Sequence, residues 1–222
     1  MIVTLTANPS ADRAVLLADA LVPGEVQRAL SSREDAGGKG VNVSRVVAAA
    51  GVTTRAVVPV GDHDPYRVLL ADTGIPLTVV PVAGRARANL TITDPAGSTT
   101  KLNLPGAELS PLEAAALTDA VVAAAEGATW LVLAGSLPPG LPVDFYARVI
   151  SAVRARWESA APRIAVDAAG PALAAAVGAA RPDLIKPNHE ELAELLGEDA
   201  AGDADVIAEA TRRAASRSEE HT

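Results

Sequence analysis

The 222 residues suffice for one substantial domain, or one domain with a small appendage, and are too few for two full domains. Hydrophobic residues make up 49% but aromatic ones only 2%. Small side chains must therefore fill much of the core, which favours a layered helix-and-sheet protein over a nucleic-acid stacking surface, since the latter would want aromatics. Nineteen Lys+Arg against 27 Asp+Glu leave a net charge of −8, so a bound anion must be held by a local cluster of cations rather than a basic field.

No cysteine is present, which removes disulfides and thiolate metal sites. The start, MIVTLTANPS, lacks the basic and apolar regions of a signal peptide, and the cytoplasm is the expected location. The longest uncharged run, GATWLVLAGSLPPGLPV, is interrupted by glycine and proline and is too short to span a bilayer.

Continuous apolar runs ending in small or polar residues predict buried strands at 2–7, 54–60, 129–135, 163–168 and 183–186. Helical stretches are expected at 40–50, 63–73, 110–126, 142–160, 171–180, 189–197 and 203–215. Ser110 before Pro111, and Gly170 before Pro171, give start signals. This alternation implies an α/β fold, with a mostly parallel sheet covered by helices on both faces. Runs at 14–21, 25–30, 77–82, 89–94 and 98–104 instead alternate apolar and polar positions. They are expected either as a small second sheet or as an antiparallel extension of the main one.

Ligands of an open α/β sheet bind beyond the carboxyl ends of its strands, so the residues there are the first candidates for chemistry. Asn8-Pro-Ser-Ala-Asp12 follows the first strand, and its carboxylate can accept hydrogen bonds from sugar hydroxyls or build an Asx turn. In AGGKGVNVSRVVAAAGV, Gly37, Gly38 and Gly40 allow close backbone approach at a helix start, and Lys39 adds a charge. The stretch is neither a Walker A loop nor a G-x-G-x-x-G fingerprint. Arg85 and Arg87 share one side of an extended strand, suited either to a phosphate or to solvent. Ser136 in GSLPPG ends the most hydrophobic strand. In KPNHEEL, Asn188 and Glu191 form a capping box or organise the water shell of Mg²⁺ near Lys186. The three histidines show no zinc-ligand spacing.

In order, N-P-S-x-D, G-G-K-G-x-N-x-S-R, R-x-N, G-S-L-P-P-G, V-D-x-x-G and K-P-N-x-x-E-L resemble the ribokinase-like PfkB carbohydrate kinases. The nearest branches are the 1-phosphofructokinases and tagatose-6-phosphate kinases, and the resemblance runs from Met1 to about Ser216. It implies a three-layer α/β/α fold with a small β-sheet lid formed by strands within about 12–30 and 77–104. It also implies transfer of a phosphoryl group from ATP, with Mg²⁺, to a sugar phosphate, most closely fructose 1-phosphate. By the same resemblance Asp12, Gly38, Lys39 and Asn42 hold sugar hydroxyls, Arg87 grips the substrate phosphate, and Ser136 lies on the substrate side. Lys186, Asn188 and Glu191 match the nucleotide and magnesium end, and pairing of lid strands implies a homodimer. Tagatose 6-phosphate or fructose 6-phosphate is the alternative substrate, and a non-catalytic sugar-phosphate-binding protein is the alternative of another class.

One departure bears on activity. The family's catalytic aspartate lies in a Gly-Ala-Gly-Asp segment that does not occur in this sequence. Residues 217–222, RSEEHT, match a sequencing adapter translated in frame. The expectation is therefore a C-terminally truncated, inactive kinase domain over 1–216 followed by a scar, with an unfinished sheet edge that disfavours folding.

Overall fold

The computed structural model describes residues 1–196; the helix expected at 203–215 and the segment 217–222 lie outside the described residues. Six parallel strands form the main sheet: β1 (Ile2–Thr6), β4 (Thr54–Val60), β5 (Leu77–Pro81), β8 (Trp130–Ala134), β9 (Arg163–Asp167) and β10 (Leu184–Ile185). Their order is β10-β9-β8-β1-β4-β5. The order reverses direction at β1, so the chain leaves β1 and β8 on opposite routes and opens a crevice beyond their carboxyl ends.

Strand periodicity explains how the main sheet is covered on both faces. Along β4, Val57 packs into one core while Ala56, Val58 and Val60 pack into the other. The first core joins Val3, Leu5 and Val57 to α3 (Pro111–Ala124), α4 (Phe145–Trp157) and α5 (Gly170–Ala180). The second joins Val41 of α1 (Lys39–Ala49) to Tyr66 and Leu70 of α2 (Tyr66–Asp72). On this face the seat of α1 is polar as well: buried Thr4, Ser44 and Thr54 form a hydroxyl chain with 2.9 Å links. The last described helix, α6 (His189–Leu196), packs on α5.

Four further strands, β2 (Ser10–Leu17), β3 (Ala29–Gly37), β6 (Arg87–Thr93) and β7 (Thr99–Asn103), make a separate sheet ordered β3-β2-β6-β7. Two hairpins meet where β2 and β6 run parallel, Ser10 opposite Arg87. The second hairpin turns at Asp94-Pro-Ala-Gly97: the Gly97 N–H donates to the Asp94 carbonyl at 3.0 Å, and Gly97 takes φ +85°.

Two assignments are corrected. Residues 77–82, expected among the second sheet's strands, supply the edge strand β5 of the main sheet, where Val80 and Val82 are buried. An edge strand is half covered, so it shows the alternation of a solvated strand. The first hairpin also begins earlier and ends later than expected, at Ser10 and Gly37, with the polar run SSRED inside β3. That strand is exposed over most of its length, so no apolar period marked it.

Candidate functional site

The crevice at the strand reversal is lined by Asn8, which follows β1, and Ser136, which follows β8; the Asn8 amide donates to Ser136 Oγ at 3.2 Å. Around them opens a cleft of about 770 Å³ that also receives Lys39, Arg87 and Asn103. Its other side is apolar, with Leu137, Pro138 and Leu141. Main-sheet strand ends thus form the floor, and the second sheet contributes Arg87 and Asn103 from above.

The glycines have specific reasons. Gly38 takes φ +111°, and a Cβ there would stand 2.5 Å from Thr6 Cγ2. At Gly40 a Cβ would meet the Leu5 carbonyl oxygen at 2.6 Å. Only glycine lets α1 begin this close to the end of β1, which fixes where Lys39 projects.

Lys39 Nζ donates to Asp167 Oδ1 at 2.8 Å, and Lys186 Nζ stands 3.6 Å from the same oxygen. Asp167, at the end of β9, is largely buried, whereas both lysines are substantially exposed. Two ammonium groups against one carboxylate leave a local positive excess in a chain of net charge −8. Nearby, Tyr146 donates to the Gly135 carbonyl at 2.9 Å. Its burial, with the Asp167 charge nearby, pushes its phenol well above the ordinary range, so it remains a donor.

On the second sheet, Asp12 Oδ1 accepts from Ser10 Oγ at 2.7 Å and from the Asn89 amide at 2.9 Å. Register places Asp35, Asp12, Asn89 and Asn103 in one row across all four strands, and Ser10 beside Arg87 in the adjacent row. Four buried polar atoms here lack a protein partner: Thr6 Oγ1, Asn8 Oδ1, Arg87 Nε and Asn89 Oδ1. All four belong to β1, the residues after it, or β6. Buried polar atoms normally find partners, so four without one on these neighbouring segments are unusual.

Of the nine residues singled out by sequence, Lys39, Arg87 and Ser136 line the cleft. Asp12, Gly38 and Asn42 are not among its lining residues: Asp12 is tied to Asn89, and Asn42 is exposed on the first turn of α1. Lys186 reaches the site through Asp167. Asn188 and Glu191 form the reciprocal cap, each backbone N–H donating at 2.8 Å to the other's side chain. Among the described residues no three His, Cys, Asp or Glu side chains gather as a metal site. The oxygens of Asn188 and Glu191 are of the type that suits Mg²⁺, but with the cap engaged they fit an ion carried by phosphate oxygens and water rather than one ligated directly.

Sequence reading missed Asp167, Asn89 and Asn103. The strings V-D-x-x-G and R-x-N contain the first two, yet no local signal says that Asp167 meets a lysine 128 positions away.

A parallel sheet with its crevice at the strand reversal, roofed by a second sheet that brings an arginine, defines a ligand-binding α/β domain of the ribokinase-like class. Residues 6–220 match the model of the pfkB family carbohydrate kinases, and the chain belongs to that family. It is 37% identical over 201 residues to the 1-phosphofructokinase of Xanthomonas campestris, covering 88% of this chain and 62% of that protein. Among solved structures, phosphofructokinase-2 from Escherichia coli in complex with fructose-6-phosphate superposes with a TM-score of 0.85 at 32% identity, covering 96% of this chain and 69% of that one. Ribokinase of Arabidopsis thaliana, solved with ribose and ATP, is 19% identical with a TM-score of 0.67 over 97% of this chain and 68% of that one, which shows the shared fold alone. The chain spans 62% and 63% of the 1-phosphofructokinases of Xanthomonas campestris and Rhodobacter capsulatus. Among the described residues no helix is long and apolar enough to cross a membrane.

Proposed function

We propose that this chain forms the sugar-phosphate side of an ATP- and Mg²⁺-dependent kinase that converts fructose 1-phosphate to fructose 1,6-bisphosphate in the cytoplasm. The observation that carries the reading is Arg87: its Nε is buried without a protein partner at the edge of a cleft shared with Lys39, Asn8 and Ser136. A guanidinium held this way lacks only a planar or tetrahedral oxyanion. The Asn8, Asn89 and Asn103 amides and Asp12 offer the donors and acceptors that sugar hydroxyls require.

In this reading Arg87 binds the substrate phosphate and Lys39 and Ser136, which line the cleft, contact the sugar. Asp12, Gly38 and Asn42 act from its border, Asp12 by holding Asn89 and Gly38 by seating Lys39. Lys186, Asn188 and Glu191 face the nucleotide end, with Asp167 holding Lys39 and Lys186 together between the two. Bound Mg²⁺ would shield phosphate charge. Fructose 6-phosphate is the second reading, supported by the likeness to the E. coli enzyme solved with that sugar. A homodimer through the second sheet is part of the proposal, supported by exposed Leu16, Leu30 and Leu102 on its strands.

Calorimetric titration of the chain with fructose 1-phosphate, fructose 6-phosphate and tagatose 6-phosphate tests the reading. Fructose 1-phosphate should bind tightest, and Arg87→Ala should weaken it by roughly tenfold or more. Absence of binding by all three, or an unchanged affinity in the variant, overturns it.

A further inference from the structure

The start of α2 lies outside the cleft, yet it touches two of the places where the second sheet joins the rest of the fold, the end of β3 and the entry to β6. Asp64 is 7% exposed, and its carboxylate accepts two hydrogen bonds. Its Oδ1 accepts from the Tyr66 N–H at 2.9 Å, and its Oδ2 accepts from the Ala86 N–H at 2.6 Å, one residue before Arg87. Tyr66, 1% exposed, donates its phenol to the Gly37 carbonyl at 2.6 Å, two residues before Lys39. One short segment therefore holds the backbone beside each of the two cations that the cleft receives.

We infer that Asp64 and Tyr66 are positioning residues that set the separation of Arg87 and Lys39, and through it the affinity for a phosphorylated sugar. The alternative is simple structural support, but three features point past it. Asp64 forms no ion pair among the described residues, so its carboxylate is committed to the two N–H groups. Gly61 and Gly84 approach so closely that a Cβ on Gly61 would lie 2.7 Å from the Gly84 carbonyl oxygen, so this junction has little slack. Burial and the neighbouring Asp12 and Asp64 carboxylates keep the Tyr66 phenol protonated, which preserves its donor role.

This inference rests on the proposed sugar-phosphate site, and a double-mutant cycle separates the two. Asp64→Asn is nearly isosteric but turns one acceptor into a donor facing an N–H, and should weaken fructose 1-phosphate binding about tenfold. If Asp64 acts through Arg87, the same substitution in an Arg87→Ala background should cost less than about twofold. Tyr66→Phe should likewise weaken binding, and Asp64→Asn should speed hydrogen exchange at the Ala86 amide. Multiplicative losses in the double variant, or an Ala86 amide that exchanges at the wild-type rate, overturn the positioning role while leaving the site intact. A wild-type chain that binds no sugar phosphate overturns both.

Discussion

Asp167 and Lys39 meet at 2.8 Å although they are 128 positions apart, and the same carboxylate oxygen faces Lys186 at 3.6 Å. A single mostly buried anion thus restrains two exposed cations. Asp167→Asn should free both ammonium groups and raise affinity for a small polyanion such as pyrophosphate by up to roughly tenfold, with steeper salt dependence. Competition titrations at low and high salt measure this, and unaltered affinity would mean that the carboxylate does not restrain the lysines.

Gly40 leaves no room for a methyl group, since a Cβ would lie 2.5 Å from Thr6 Oγ1 and 2.6 Å from the Leu5 carbonyl. Gly40→Ala must push α1 off β1, and should cost about 1–3 kcal/mol or more. A fall in the urea midpoint at constant m-value, together with weaker sugar-phosphate binding, is the expected result.

Tyr146→Phe removes the donor to the Gly135 carbonyl while keeping the buried ring. The loss should be about 1 kcal/mol at neutral pH. The folded-state phenol titrates above its ordinary value of 10.0, so its stabilisation is complete below that pH and declines as pH rises beyond it. Thermal unfolding of the variant should accordingly lose less stability than the parent between neutral pH and about pH 11.

Ser110 and Glu113 make the capping box of α3, and Glu113 Oε1 also accepts from the Ala83 N–H at 2.6 Å. Ser110→Ala should cost about 1 kcal/mol. Hydrogen bonds from the Ser110 side chain and backbone, then from Ala83, lower the Glu113 carboxyl below its ordinary 4.5. Their contribution is therefore present above that value and lost as pH falls below it. Glu113→Gln should flatten the acid limb of a stability profile, and an unchanged limb would show that the carboxylate bonds contribute nothing.

The main sheet was readable because strands buried on both faces are written as unbroken apolar runs, as in TRAVVPV and TWLVLAG. Strand β3 was not, since ALSSREDAG is exposed for six residues and carries no apolar period. LTVVPV illustrates the opposite error: a parallel edge strand is half solvated and imitates an antiparallel one. At the site, residues beside glycine or proline punctuation were found, including Lys39, Ser136 and the Asn188–Glu191 cap. Asp167 and Asp64 escaped because their importance lies in what they touch across the fold.

The parallel pairing of β2 with β6 also bears on how the molecule assembles. Each hairpin can close locally, but Asp12 and Asn89, which meet across that seam, are separated by 77 positions. Between the two hairpins lie α1, β4, α2 and β5. Loop-closure entropy opposes the seam until that intervening unit has compacted and shortened the gap. The seam is thus expected to close after that unit, so the cleft should acquire its arginine only once α1, β4, α2 and β5 have packed.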